Sequence, residues 1–291
     1  MLAQFLQYLF SGITIGATYA LAALGFTMIY NASTVINFAQ GEFIMLGGML
    51  AVMFQQAGFP LPLAVLLAII VPSLVGVLME KTVVEPVRSA DTVNIIIITI
   101  GASLVIRGVV QVVFGKGAFM LPSFSGDTPV EIGGAMIMPQ SFWVIGVSAL
   151  VVVGLWYFFT RTLTGKAMLA TSFNRTAAEL VGINTSWVLW MSFAMSAAVG
   201  ALGGVLVTPL TMTSYDSGIM LGLKGFVAAV VGGLGSGAGA LVGGLLVGVL
   251  EAMGAGYLSS SYKDALPFVL ILLILFFLPR GLFGSRQTER V

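Results

Sequence analysis

Glu42 closes YNASTVINFAQGE (Tyr30–Glu42), a polar stretch set between and within long apolar runs. Asn31, Asn37 and Gln40 lie in the same stretch, and Gly41 directly precedes the carboxylate. An ionised carboxylate facing lipid is costly, so Glu42 is expected to face protein or water. Asn37, Gln40, Gly41 and Glu42 are therefore candidates for a translocation pathway, a broken helix whose freed backbone groups line a cavity. The competing reading is a short cytoplasmic loop and a helix start, where Glu42 in the first turn complements the helix dipole. Three other charges fall within apolar surroundings. Arg107, in the outer half of its span, is expected to snorkel toward the interface. Lys224 could pair with Asp216, and Glu251 is the candidate for a buried interhelical contact.

The remaining chemistry is bounded by what is missing. The chain is 58% hydrophobic and 8% charged, with a mean hydropathy of +1.08, far from soluble-domain composition. Without cysteine there are no disulfides, thiolate sites or thiol catalysis, and without histidine the usual metal ligand and proton shuttle are gone. A net charge of +1 gives no reason to expect nucleic acid. A phosphate-cradling loop is excluded too, because neither Gly115-Lys116 nor Gly165-Lys166 completes the nucleotide motif. No catalytic, cofactor or metal residue is assigned, and any ATP and Mg would be bound by separate subunits. Transport is the default reading.

The elements that position these residues are apolar stretches of spanning length, which make the chain an all-α polytopic membrane protein. Spans are expected near 5–30, 34–56, 61–80, 92–114, 142–160 and 186–209, with a glycine-rich membrane region at 220–254 and a last span near 266–279. About eight to nine transmembrane helices result, some broken or half-length, in a single permease domain over 1–291. The N-terminus lacks a positive n-region and reads as the start of a retained span. Lys81 and Arg88, then Arg161, Lys166 and Arg175, then Arg280, Arg286 and Arg290 place their segments in the cytoplasm. The 115–140 loop is then extracytoplasmic, as is the N-terminus. That loop holds VEIGGAMIM, a β-hairpin signal around Gly133-Gly134, suited equally to docking a soluble partner or to capping helix ends.

Region 232–256 has ten glycines in 25 residues. Such glycines let backbones approach closely, so Gly232, Gly233, Gly235, Gly237 and Glu251 are candidates for intramembrane packing or a hinge. GGLGSGAGA (232–240) is expected to break two half-helices, with Val242–Met253 as the second. Gly12 and Gly16 make a packing face on the first span. In the 161–184 loop, Leu169–Val181 is helix-permissive and Gly182 is placed as its C-terminal stop. A short helix with a small-residue face, parallel to the membrane, suits a groove on a partner.

Together these motifs resemble the permeases of ABC importers, specifically the branched-chain amino acid (LivH-type) family. GKAMLATSFNRTAAELVGIN is similar to the family's coupling-helix loop. Asn37–Glu42 matches its NFAxGE motif, Glu85–Arg88 its EPVR, Gly232–Gly244 its glycine region and Pro279–Gly284 its terminal PRGLFG. The resemblance implies a permease subunit in a bacterial inner membrane, paired with a homologous second permease. Two ATPase subunits and a periplasmic binding protein that delivers a small neutral amino acid would complete the machine. It implies that Arg175, Ala177, Ala178, Glu179 and Gly182 belong to the ATPase-docking coupling helix, and that transport is by alternating access. Related members move urea or short amides. The residues alone also leave open a proton-coupled secondary transporter using Glu42 or Glu251, and a passive channel.

Overall fold

The computed structural model describes residues 1–87 and 91–284. Arg88, Arg286 and Arg290, which enter the charge argument, lie outside the described residues. Helix α1 (Leu2–Ser33) ends where Thr34 turns left-handed and its N–H closes on the Tyr30 carbonyl. Helices α2 (Gln40–Gln56), α3 (Leu61–Met79), α4 (Thr92–Phe114) and α5 (Pro139–Arg161) follow, with α3 continued by a wider and then a tighter turn to Val87. Two short helices come next, α6 (Leu163–Phe173) and α7 (Arg175–Leu180). They lead into α8 (Thr185–Thr211), α9 (Ser217–Gly232), α10 (Gly237–Tyr257) and α11 (Leu266–Phe277). Among the described residues six helices are long and apolar enough to cross a membrane: α1, α3 with its extension, α4, α5, α8 and α10. The chain is thus a polytopic helical membrane protein, with α2, α9 and α11 as shorter helices.

The expected hairpin forms as β1 (Val130–Ile132) and β2 (Ala135–Ile137), antiparallel with Val130 opposite Ile137. Gly133 and Gly134 both take positive φ, the requirement of a primed two-residue turn. The hairpin docks on the start of α1, where the Gln7 side-chain amide donates to the Met136 carbonyl at 2.9 Å and accepts from the Met136 N–H at 2.7 Å. An isolated bridge joins Phe119 to Thr213. The start of α1, the 115–140 loop and the end of α8 therefore share one face. On the opposite face Asn31 donates to the Gly235 carbonyl, and the N–H groups of Leu282 and Phe283 donate to Val231 and Gly232. Helix α9 runs from the first face to the second, α10 back to the first and α11 to the second again.

Helix α1 is the axis of the core. It is buried from Ala17 to Ile29 and packed on α8, α9 and α10. The Gly12 and Gly16 face meets α10, where a Cβ on Gly12 would lie 2.7 Å from the Val249 Cα. The glycine-rich region resolves differently from the expected half-helices. Only Gly233–Ser236 leaves the helix, with Gly233 and Gly235 at φ 104° and 94°. Helix α10 then starts at Gly237 and is 21 residues long, a full span. The physical reason is that Gly239 and Gly243 are needed inside the helix, where they touch the Gly232 and Ala228 backbones of α9.

Candidate functional site

Helix α2 begins inside the membrane layer. Its first residue, Gln40, donates from its side-chain amide to the Ser196 carbonyl at 3.1 Å and accepts from the Ser196 hydroxyl at 2.7 Å. At the rise of an α-helix Ser196 stands roughly 16 Å into α8 from its N-terminal end. The 34–56 segment is consequently a discontinuous span rather than a full helix: 34–39 climbs back as irregular backbone before α2 starts. That backbone is satisfied locally. The Asn37 side-chain carbonyl accepts from the Ala39 N–H at 3.0 Å, and the Phe38 N–H donates to the Thr99 hydroxyl at 3.3 Å. Gly41 is backed directly onto Gly218 and Gly222 of α9, leaving no room for a side chain.

Glu42 is buried and meets a polar stripe on α4. Thr99, Ser103 and Arg107 recur every fourth residue and so face one way. The Ser103 hydroxyl donates to Glu42 Oε1 at 2.8 Å, and Arg107 Nη2 donates to the same oxygen. Arg107 therefore does not snorkel to the interface as expected. An acid buried on the neighbouring helix offers it a better partner than the distant headgroup layer. Its side chain is 20% exposed against 2% for Glu42, so the pair sits at the edge of the protein interior with the arginine outermost. Three atoms of this cluster are buried without a partner among the described residues: Glu42 Oε2, Arg107 Nε and Asn37 Nδ2. Sequence reasoning singled out Glu42 but missed Thr99 and Ser103, whose signal was their spacing with Arg107.

A second buried charge cluster joins α1, α9 and α10. Lys224 Nζ donates to Glu251 Oε1 at 2.7 Å and to Asp264 Oδ1 at 2.6 Å, while the Tyr19 hydroxyl donates to Glu251 Oε2 at 2.9 Å. The expected Lys224–Asp216 pair does not form. Asp216 immediately precedes α9 and accepts from Ser214 instead, while Lys224 faces the helices against which α9 packs. Asp264, outside the spans, has its carboxyl held below the ordinary carboxylate range, first by the hydrogen bond from Lys224.

The 161–184 loop folds as two helices rather than one. Asn174 breaks the run by capping α7, its side-chain oxygen accepting from the Ala177 N–H at 2.9 Å. Arg175 and Glu179 pair along α7 at 3.1 Å, and the Thr185 hydroxyl donates to Glu179 at 2.6 Å, tying α7 to the start of α8. Gly182 stops the helix at φ 89° with open space where a side chain would go. Ala177 is exposed, whereas Ala178 is buried within the chain. The exposed large apolar residues of the loop are Leu163, Phe173, Leu180 and Val181, of which Phe173, Leu180 and Val181 lie in the helix-permissive Leu169–Val181 segment. Between this loop and the bundle, the inner half of α5 stands off from α1 and α10 around an apolar cavity of about 500 Å³ walled by Leu24, Met28, Trp156, Phe159 and Leu241.

The family model described as branched-chain amino acid transport system / permease component matches residues 8–275. The chain is 36% identical to the high-affinity branched-chain amino acid transport system permease protein LivH of Escherichia coli K12, covering 99% of this chain and 98% of that protein. It is 34% identical to the corresponding permease protein BraD of Pseudomonas aeruginosa, with 99% and 98% covered. The ribose import permease protein RbsC of Haemophilus influenzae is 26% identical over 84% of this chain and 76% of its own length. Among solved structures, PsaBC from Streptococcus pneumoniae in complex with Fab superposes with a TM-score of 0.51 at 15% identity, covering 96% of this chain and 97% of that one, a likeness of fold.

Proposed function

Because the chain belongs to the family of permease components of branched-chain amino acid transport systems, we propose that it is one of two homologous permease subunits of an ATP-driven importer. It moves branched-chain or other small neutral amino acids across a bacterial inner membrane by alternating access. The observation that carries this reading is the cytoplasmic α6–α7 loop. Its two helices are individually capped, and it presents Phe173, Leu180 and Val181 to solvent. Exposed apolar residues on a loop held this firmly mark a protein-binding surface. ATPase subunits seated there, one on each permease, would drive the cycle, and ATP and Mg would be bound by them.

Motion of the loop has a direct route into the membrane. The Thr162 hydroxyl donates to the Phe158 carbonyl at 2.7 Å and accepts from the Gly165 N–H at 3.0 Å, and Gly165 lies against the Phe158 backbone. Helix α6 is thereby locked to the end of α5, and a push on α6 moves the inner half of α5 against the cavity beside α1. Substrate would reach the outer face from a periplasmic binding protein and pass the discontinuous α2, where Asn37, Gln40, Gly41 and Glu42 lie.

The test is reconstitution of the complete complex in proteoliposomes with leucine, the binding protein outside and ATP inside. Uptake that needs ATP and survives collapse of the proton gradient is expected. Uptake that follows the proton gradient without ATP would instead establish the secondary-transporter reading. Downhill flux without ATPases would establish a channel.

A further inference from the structure

We propose that Glu42 and Arg107 form a clamp for the zwitterionic head of the transported amino acid, the ammonium taken by Glu42 and the carboxylate by Arg107. This rests on the importer reading above and names the substrate class of its pathway. The two side chains come from different elements: Glu42 from the first turn of the short helix α2 after the break at 34–39, Arg107 from the continuous span α4 beside it. Glu42 spends one carboxylate oxygen, Oε1, on both Ser103 and Arg107. Its other oxygen is a buried acceptor with nothing to accept from, and Arg107 Nε is a buried donor with nothing to donate to. An unused acceptor on an anion beside an unused donor on a cation is the complement of a zwitterion, whose ammonium donates and whose carboxylate accepts.

Charge arithmetic favours the same ligand. The pair is neutral and a zwitterion is neutral, so joining them brings no net charge into the low-dielectric layer, while each substrate charge gains an opposite partner. Urea or a short amide would satisfy hydrogen bonds but leave both protein charges paired only with each other. Phe43, Ile106 and Val110 pack into one apolar cluster around the two helices, an environment for an aliphatic side chain. The exposed fraction of Arg107 gives an approach from the edge of α4. A structural staple between α2 and α4 needs the ion pair but does not account for the two orphaned atoms.

The experiment uses the reconstituted complex with Glu42→Gln, Arg107→Gln and the exchanged pair Glu42→Arg/Arg107→Glu, reading complex recovery and uptake of leucine, with urea as a competitor. Each single variant should lower the leucine uptake rate by about tenfold or more, the effect of losing a charged hydrogen bond. The exchanged pair should restore recovery but not uptake, because the sites for ammonium and carboxylate are reversed, and urea should not compete in the wild type. Recovery and uptake restored together would overturn the clamp and leave a staple, as would single variants that transport at the wild-type rate. Should the variants fail to assemble, the wild-type complex decides: leucine supplied by its binding protein should protect Arg107 from phenylglyoxal, read on the Arg107 peptide by mass spectrometry. Labelling indifferent to leucine would refute the proposal. A wild-type complex that does not take up leucine with ATP would refute the importer reading instead.

Discussion

Gly16 of α1 and Gly244 of α10 touch backbone to backbone, so that a Cβ on Gly16 would lie 2.9 Å from the Gly244 carbonyl oxygen. Gly248 sits against Gly16 in the same seam. Lipid supplies no hydrophobic drive for helices to associate, so close packing of this kind holds the bundle. Gly16→Val should cost about 1–3 kcal/mol through overpacking and lower the thermal unfolding midpoint in detergent. Gly101 of α4 has open space at the same position, and Gly101→Ala should be neutral or stabilising by a few tenths to about 1 kcal/mol. Equal effects at the two sites would contradict the packing argument.

Lys224 and Glu251 give a test of a different kind. Both side chains are nearly inaccessible, at 6% and 7% exposure, so removing one leaves the other charge buried. Lys224→Met alone should destabilise by about 3–5 kcal/mol, while Lys224→Met with Glu251→Leu should recover most of that loss. Thermal unfolding of the purified chain in detergent separates the two, and a double variant no better than the single would show that Tyr19 and Asp264 require the pair.

Much of this architecture was readable because it follows from local rules. The hairpin at Gly133-Gly134, the stop at Gly182 and the interruption before Gln40 each need only a few neighbouring residues and their backbone preferences. What crosses between helices was not readable. Arg107 and Glu42 are 65 positions apart, and hydropathy places each in its span without saying which faces meet. Lys224 had an acid close in sequence, Asp216, and two acids on other elements, and only the packing of α9 on α10 and α11 selects Glu251 and Asp264. The burial of Ala178 was not readable for a related reason. In a helix as short as α7, composition does not distinguish the buried face from the exposed one.

Asp264 makes the outer end of the Lys224 cluster sensitive to acid. Its carboxyl titrates below its ordinary value because the Lys224 ammonium donates to it. A depressed pKa contributes stability that is fully present above the unfolded value, near pH 4, and is lost as pH falls through the lower folded value. As pH falls below about 4 and through the lower folded value, the wild type should therefore lose unfolding temperature faster than Asp264→Asn. The two chains should converge at the acid end, and parallel curves would show that the Lys224–Asp264 contact carries no linkage.

Leu180 and Val181 are the sharpest test of the proposed docking surface on the α6–α7 loop. Both are more than three-quarters exposed, at 84% and 76%, and they directly precede the Gly182 stop. A paired substitution Leu180→Ser/Val181→Ser removes apolar area without touching Asn174, Glu179 or Thr185, which hold α7 in place. Recovery of the chain alone should be unchanged, because neither side chain is buried in it. Co-purification with the ATPase subunits should fall by about tenfold or more, since truncating apolar anchors at a protein interface costs over 1 kcal/mol each at hot spots. Ala178→Leu should behave differently. Ala178 is packed inside the chain, so its enlargement disturbs α7 itself and should lower thermal stability before ATPases are added. If Leu180→Ser/Val181→Ser retains the ATPases at the wild-type level, the exposed apolar edge is not where they dock. The Arg175–Glu179 side of α7 then becomes the surface to test.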